Sequence, residues 1–221
     1  DLKAILAFST VSHLGLITML LGFGTTKAAV IAVFHIINHA TFKAALFMAA
    51  GIVDHETHTR DIRRLGGLRH LMPVTFAITA IAALSMAGIP PLNGFLSKEM
   101  MLEETVHAGF GPVWLLPLLA TSGALLSVAY SLRLVAHGFL GPVRDDYPHH
   151  PHDPPFGMWA APALLAVLVI VIGVIPMTSA AWLVQTAANA VTGTTPEVYI
   201  KHWHGLGSPA LWMSVLAIAA G

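Results

Sequence analysis

Residues 34–43 read Phe34-His35-Ile36-Ile37-Asn38-His39-Ala40-Thr41-Phe42-Lys43, inside an apolar segment that runs from about Ala28 to Val53. A segment of that length and composition predicts a membrane-crossing helix. His35, His39 and Lys43 recur at i, i+4 and i+8. On a helix this keeps all three within about 80° of arc, each about one turn from the next. Hydrocarbon is a poor solvent for such groups, at a cost of about 2.5–3.5 kcal/mol for a lysine at mid-depth. Snorkelling gives no relief, because Lys43 lies roughly 15 Å of helical rise from the end of its segment, beyond the reach of a lysine stem. Either histidine alone could be a packed, hydrogen-bonded core residue. Three titratable groups on one arc point instead to a path for protons or ions.

Working outward, the composition fits the same class. Hydrophobic residues make up 56% of the 221, charged residues only 10%, and the formal net charge is zero. Several apolar runs reach the ~20 residues needed for a crossing, and the balanced charge gives no sign of a nucleic-acid partner. Cysteine is absent, which removes disulfides, thiol catalysis and iron–sulfur ligation. The thirteen histidines lie in spans and in loops. No initiating methionine or signal peptide is present, and Leu206 to Gly221 opens another apolar segment. These features predict an interior piece of a longer protein, with the span count a lower limit.

Further spans are predicted at about Ile5 to Phe23, Val113 to Leu140 and Met158 to Ala187. The loop from Asp54 to His70 carries Arg60, Arg63, Arg64 and Arg69 and is the most basic in the chain, so the positive-inside rule places it in the cytoplasm. After Pro73 the chain is apolar to Ile89, then reads Gly88-Ile89-Pro90-Pro91-Leu92-Asn93-Gly94. Two prolines and two glycines cannot continue a regular helix. Helical character resumes at Phe95 and carries Lys98, Glu99, Glu103, Glu104 and His107. Val74 to His107 therefore reads as one broken helix, a form that membranes tolerate where protein or a wet cavity satisfies the freed backbone. Lys98 is then a candidate proton site at the break, tuned by Glu99. Its bland reading is an exposed lysine paired with Glu99, Glu103 or Glu104.

Other clusters read as structural. Arg133 and His137 suit anchoring near a span end. His149, His150 and His152, with Asp153, lie in a proline-rich loop and read as solvated rather than metal-binding. Counting the broken helix as one crossing puts that loop in the cytoplasm too. The pair His35-x-x-x-His39 also invites comparison with membrane metalloenzymes, which need further ligands and nearby carboxylates. Asp1 and Lys3 by themselves say almost nothing.

The motifs DLKAILAFSTVSHLGLI (1–17), FHIINHATFKAALF (34–47) and MAGIPPLNGFLSKEM (86–100) resemble the antiporter-like membrane subunits. That family includes the large A-type component of the multisubunit Mrp-type cation/proton antiporters and the L-, M- and N-type subunits of respiratory complex I. The resemblance covers roughly the first 140 residues. GIVDHETHTRDIRRLGG (51–67) and HWHGLGSPALWMSVLAIAAG (202–221) resemble the Mrp A-type component in particular.

The resemblance implies an all-α, polytopic transmembrane bundle with one discontinuous helix, forming the second of two inverted repeats. Residues 1–141 would be that half-repeat, 142–157 a cytoplasmic His/Pro-rich loop, and 158–221 additional C-terminal spans. It further implies a proton relay of Lys43, Lys98, His35, His39 and Lys3, with Glu99 as tuning residue. His13 stands where related sequences often carry glutamine and is left off the path. The expected function is proton translocation in a multisubunit Na+/H+ antiporter of the bacterial inner (plasma) membrane. Protons would hop between these groups through bridging waters, with neighbouring cations disfavouring each other so that the lysines charge in alternation. The expected partners are the lipid bilayer, the transported Na+ and H+, and other small membrane subunits; no cofactor is implied. One alternative is a proton-pumping membrane subunit of complex I or of a membrane-bound hydrogenase. Another, of a different class, is a metal-dependent membrane enzyme. The loop reading yields one expected outcome: His149→Ala leaves vesicle proton flux nearly at wild-type level, and a large loss would assign the loop a transport role.

Overall fold

The computed structural model describes residues 1–221 apart from Phe110, Asp145, Asp146, Trp203 and His204. Two of these, Trp203 and His204, belong to the motif at 202–221, and that part of the resemblance lies outside the described residues. The described residues form helices and connecting turns. In chain order the helices are α1 (Leu2–Gly22), α2 (Thr26–Thr57), α3 (Leu68–Leu71), α4 (Pro73–Ala87), α5 (Asn93–His107), α6 (Leu115–Phe139), α7 (Phe156–Val174), α8 (Pro176–Ser179), α9 (Ala181–Thr192) and α10 (Pro209–Ala220). Four of them, α1, α2, α6 and α7, are long and apolar enough to cross a membrane; α4 and α10 are shorter apolar helices.

Local chemistry sets the boundaries. Asp1 caps α1 by accepting from the Ala4 amide at 3.0 Å, and Thr25 caps α2 by accepting from the Ala28 amide at 3.1 Å. Pro73 opens α4 at the position where a missing N–H costs nothing. The next two amides of α4, Val74 and Thr75, donate to the carboxylate of Asp153 at 2.8 and 2.9 Å. Asp153 thus serves as a helix cap delivered from a loop 78 residues beyond Thr75, while His149, His150 and His152 around it are exposed.

That cap and its neighbours fasten two loops to one side of the bundle. The Tyr147 hydroxyl bonds the Gly66 backbone, and Arg144 donates to the Arg63 carbonyl. The start of α1 is on the same side, where Leu2 donates to the Arg60 carbonyl at 2.9 Å and Lys3 pairs with Asp54 at 2.8 Å. At the opposite side Thr25 donates to Glu104 at 3.2 Å and Lys27 pairs with Glu104 at 3.0 Å. The expected common side for the basic loop and the His/Pro-rich loop is therefore what the packing shows.

The expected break between residues 74 and 107 is present, with α4 and α5 as its halves. Gly88 ends α4 at φ +91, where only glycine sits without strain. Across the break Ser85 donates to the Asn93 side-chain oxygen at 2.6 Å and accepts from the Gly94 amide at 3.0 Å. Helix α2 completes the clasp, with Asn38 donating to the Asn93 carbonyl and Asn93 donating to Thr41, both at 3.0 Å. Residues 92–102 are all buried, so α5 is no exposed interfacial helix.

The fifth predicted span needs correction. Helix α7 stops at Val174, because Pro176 has no amide to donate and pushes Ile175 to φ −130, ψ 59. The chain then turns through α8 into α9. At twelve residues, or about 18 Å, α9 is too short to cross the hydrocarbon. It packs against α2 through Val184 and Ala188.

Two glycines permit close approach at the break. A Cβ at Gly94 would collide with the Ser85 carbonyl, and one at Gly173 with the Pro91 carbonyl. Gly94→Ala and Gly173→Ala are each expected to destabilise the fold by about 1–3 kcal/mol, read as a lowered thermal midpoint of the detergent-extracted protein. Unchanged midpoints in both would show that the break repacks freely.

Candidate proton-conducting centre

Helix α2 supplies one wall of the site. It is the most enclosed of the four candidate spans, packed on α1, α4, α5, α7 and α9. Its arc of His35, His39 and Lys43 faces α1 and the break rather than lipid. His35 is fully buried and Lys43 is 4% exposed; His39 is partly buried. The Lys43 ammonium donates to Ser9 Oγ and to the Leu6 carbonyl of α1. In the interior, these neutral acceptors are the solvent that the lysine would otherwise lack.

Lys98 is anchored by the break itself. Its ammonium donates to the carbonyls of Met86 at 2.6 Å and Ala87 at 3.1 Å, and to Ser127 Oγ of α6 at 2.7 Å. Met86 and Ala87 are the last residues of α4, where carbonyls have no helical donor and the helix dipole is negative. The ammonium therefore meets both an unmet hydrogen-bond need and a favourable field. These bonds on Lys98 come from backbone and hydroxyl groups, and Glu104, one of its candidate acidic partners, reaches Lys27 instead. Glu99 is fully buried next to Lys98 in sequence.

Between the lysines stand three histidines, one more than the sequence reading placed there. His35 Nδ1 is 2.9 Å from Ser97 Oγ, and His35 Nε2 is 3.0 Å from His13 Nδ1. The other nitrogen of His13, Nε2, is 3.2 Å from the Tyr130 hydroxyl. The His13 ring is stacked on His35 with centroids 5.2 Å apart and tilted against His39, also at 5.2 Å. Among the described residues His39 Nε2 has no hydrogen-bond partner. The structure therefore brings together Lys43, His39, His35 and Lys98. Lys3 stands apart, half-exposed at the rim of the basic side in its pair with Asp54.

The sequence reading left His13 off the path and did not single out Ser9, Ser97, Ser127 or Tyr130. A signal for two of them was present, since Ser9 and His13 are spaced i, i+4 and so share a face of α1. What that face met could not be read from spacing. Arg133 and His137 are exposed. Among the described residues no group of three or more His, Asp or Glu is placed to hold a metal ion.

Two openings flank the centre. A groove of about 590 Å³ between α1 and α6 is lined by Ser9, Ser12, Tyr130 and Arg133, among others. At the opposite side a cavity of about 440 Å³ is bounded by Lys27, Glu103, Glu197 and Lys201.

Comparison with known proteins matches this chain to a family. A family model described as "NADH:quinone oxidoreductase/Mrp antiporter, TM" matches residues 1–126. The chain is 48% identical to the A/B component of a probable K(+)/H(+) antiporter of Rhizobium meliloti (strain 1021), over 100% of this chain and 22% of the relative. It is 42% identical to the A1 component of the Na(+)/H(+) antiporter of Staphylococcus aureus (strain JH9), over 99% of this chain and 30% of the relative. Among solved structures, one polypeptide of the Mrp complex from Dietzia sp. DQ12-45-1b superposes with a TM-score of 0.85 at 39% identity, covering 100% of this chain and 24% of that one. The chain thus spans less than a third of the length of these relatives.

Proposed function

Since this chain belongs to the NADH:quinone oxidoreductase/Mrp antiporter transmembrane family, we propose that it forms a proton-translocating part of a multisubunit monovalent cation/proton antiporter. One observation carries the reading: titratable side chains from α2 and α5 are turned inward and held by neutral donors and acceptors. Lys43 rests on Ser9, Lys98 on Ser127 and two carbonyls, and the imidazoles of His35 and His39 lie between them. Such placement suits groups that gain and lose a proton, because hydroxyls and carbonyls solvate an ammonium without fixing its charge.

In this reading Lys43, His39, His35 and Lys98 pass protons along the layer, with waters bridging the gaps. Lys3 exchanges protons at the basic-side rim, and Glu99 adjusts Lys98. Residues 1–141 act as one inverted half-repeat, residues 142–157 as a cytoplasmic loop and residues 158–221 as appended helices. Sodium moves in the opposite direction through the complete assembly, which includes other small membrane subunits. The chain is a transporter component and not an enzyme. A second reading, proton pumping within a redox-driven complex of the NADH:quinone oxidoreductase type, is favoured by the breadth of the matching family model. It uses the same local chemistry.

In everted vesicles carrying the whole assembly, Lys98→Ala and Lys43→Ala are each expected to reduce sodium-driven proton flux to background, read with a pH-sensitive dye, while the protein still inserts. Normal flux in both variants would remove the relay. Proton movement that required NADH or a quinone rather than a sodium gradient would favour the second reading.

A further inference from the structure

We propose that His13 and Tyr130 are additional relay residues, joining Lys98 to His35 through a hydrogen-bonded wire that crosses from α6 over α1 to α2. This deepens the transport reading and rests on it. The wire begins at Lys98, which donates to Ser127 Oγ at 2.7 Å. The Tyr130 hydroxyl, one turn along α6, lies beside the hydroxyls of Ser127 and Ser12. It continues at 3.2 Å to His13 Nε2, at 3.0 Å from His13 Nδ1 to His35 Nε2, and at 2.9 Å from His35 Nδ1 to Ser97. His13 is 1% exposed and uses both ring nitrogens in these bonds.

The donor sense follows from its far end. Ser97 donates to the Gly94 carbonyl, so it accepts from His35 Nδ1–H. His35 Nε2 then accepts from His13 Nδ1–H, and His13 Nε2 accepts from the Tyr130 O–H. The charge of one proton can move from Lys98 to His35 along these bonds. Tyr130 gives its proton to His13 Nε2, and His13 gives its Nδ1 proton to His35 Nε2; His35 keeps its Nδ1–H on Ser97 and becomes an imidazolium as Lys98 becomes a neutral amine. Tyr130 is reprotonated from Ser127, whose hydroxyl must first turn from the Met86 carbonyl to which it donates at 3.1 Å, and Ser127 from the Lys98 ammonium. His13 bonds one proton and releases one, and ends in its other tautomer. A glutamine amide at position 13 could bond both neighbours, but it has no second tautomer to take up.

The lateral groove supplies the site's second connection. Tyr130 and Ser9 line the same opening of about 590 Å³, and Ser9 is the partner of Lys43. Water in that groove would place the Lys43 end and the Tyr130 end of the system in one hydrated space.

The test uses the complete antiporter assembly in everted vesicles, with Lys98→Ala as the reference variant. His13→Gln and Tyr130→Phe are each expected to lower sodium-driven proton flux about tenfold with normal assembly on native gels. The double variant is expected to be no worse than either single, because both changes cut one wire. Wild-type flux in both single variants, with Lys98→Ala inactive, would overturn the wire and leave the wider relay intact. A further tenfold loss in the double variant would also overturn it, since independent packing defects add. Active Lys98→Ala would remove the wider relay and this wire together. If His13→Gln fails to assemble, Tyr130→Phe alone decides, because it keeps the ring and removes only the hydroxyl.

Discussion

The pairing of the Lys98 ammonium with the carbonyl ends of α4 is the contact on which the rest of the structure depends. A helix cannot stop inside hydrocarbon unless its last carbonyls find donors. Lys98 brings donors and positive charge to Met86 and Ala87, and the Ser85–Asn93–Gly94 clasp satisfies the two facing ends. The break and the buried lysine are therefore one device. Each would be costly alone, and each removes the cost of the other.

Helix α2 extends that device across the bundle. Asn38 and Thr41 reach the break, while His35 and Lys43, on other parts of its surface, reach α5 and α1. One helix thus locks the irregular backbone and carries the titratable row, so the geometry of each is tied to the other. The outer faces of α1, α6 and α7 are apolar, with Phe8, Val11, Leu126, Leu164 and Val167 exposed. This division puts polar chemistry between helices and hydrocarbon-compatible groups outside, which is how a membrane protein retains ionisable side chains.

Several readings could be made from local pattern, and their successes and failures have distinct causes. The spans containing α1, α2 and α6, and the broken helix, were legible because each depends on run length or on Pro and Gly chemistry close by. The segment after Met158 reads as one long span because its composition stays apolar past Pro176, yet a single missing amide ends α7 there. By composition Asp153 belongs to a solvated histidine loop, yet its carboxylate caps α4. Its role is decided by a partner far along the chain. Lys98 was legible as a site residue, but the carbonyls of Met86 and Ala87 were not legible as its partners. Nearby carboxylates were the sequence candidates, because spacing shows neighbours on one helix and not the end of another.

The sequence by itself determined that this is a membrane helix bundle, that one helix is interrupted at Pro90-Pro91, and that His35, His39 and Lys43 share a face. Those properties follow from hydropathy, backbone chemistry and the 3.6-residue period, all of which act within a few turns. Only the tertiary structure decided that His13 and Tyr130 meet His35 and that Ser9 receives Lys43. The reason is geometric: a hydrogen bond forms at about 3 Å between helices whose rotation and depth are set by packing over their whole length. Spacing within one helix carries no record of which face of another will lie against it.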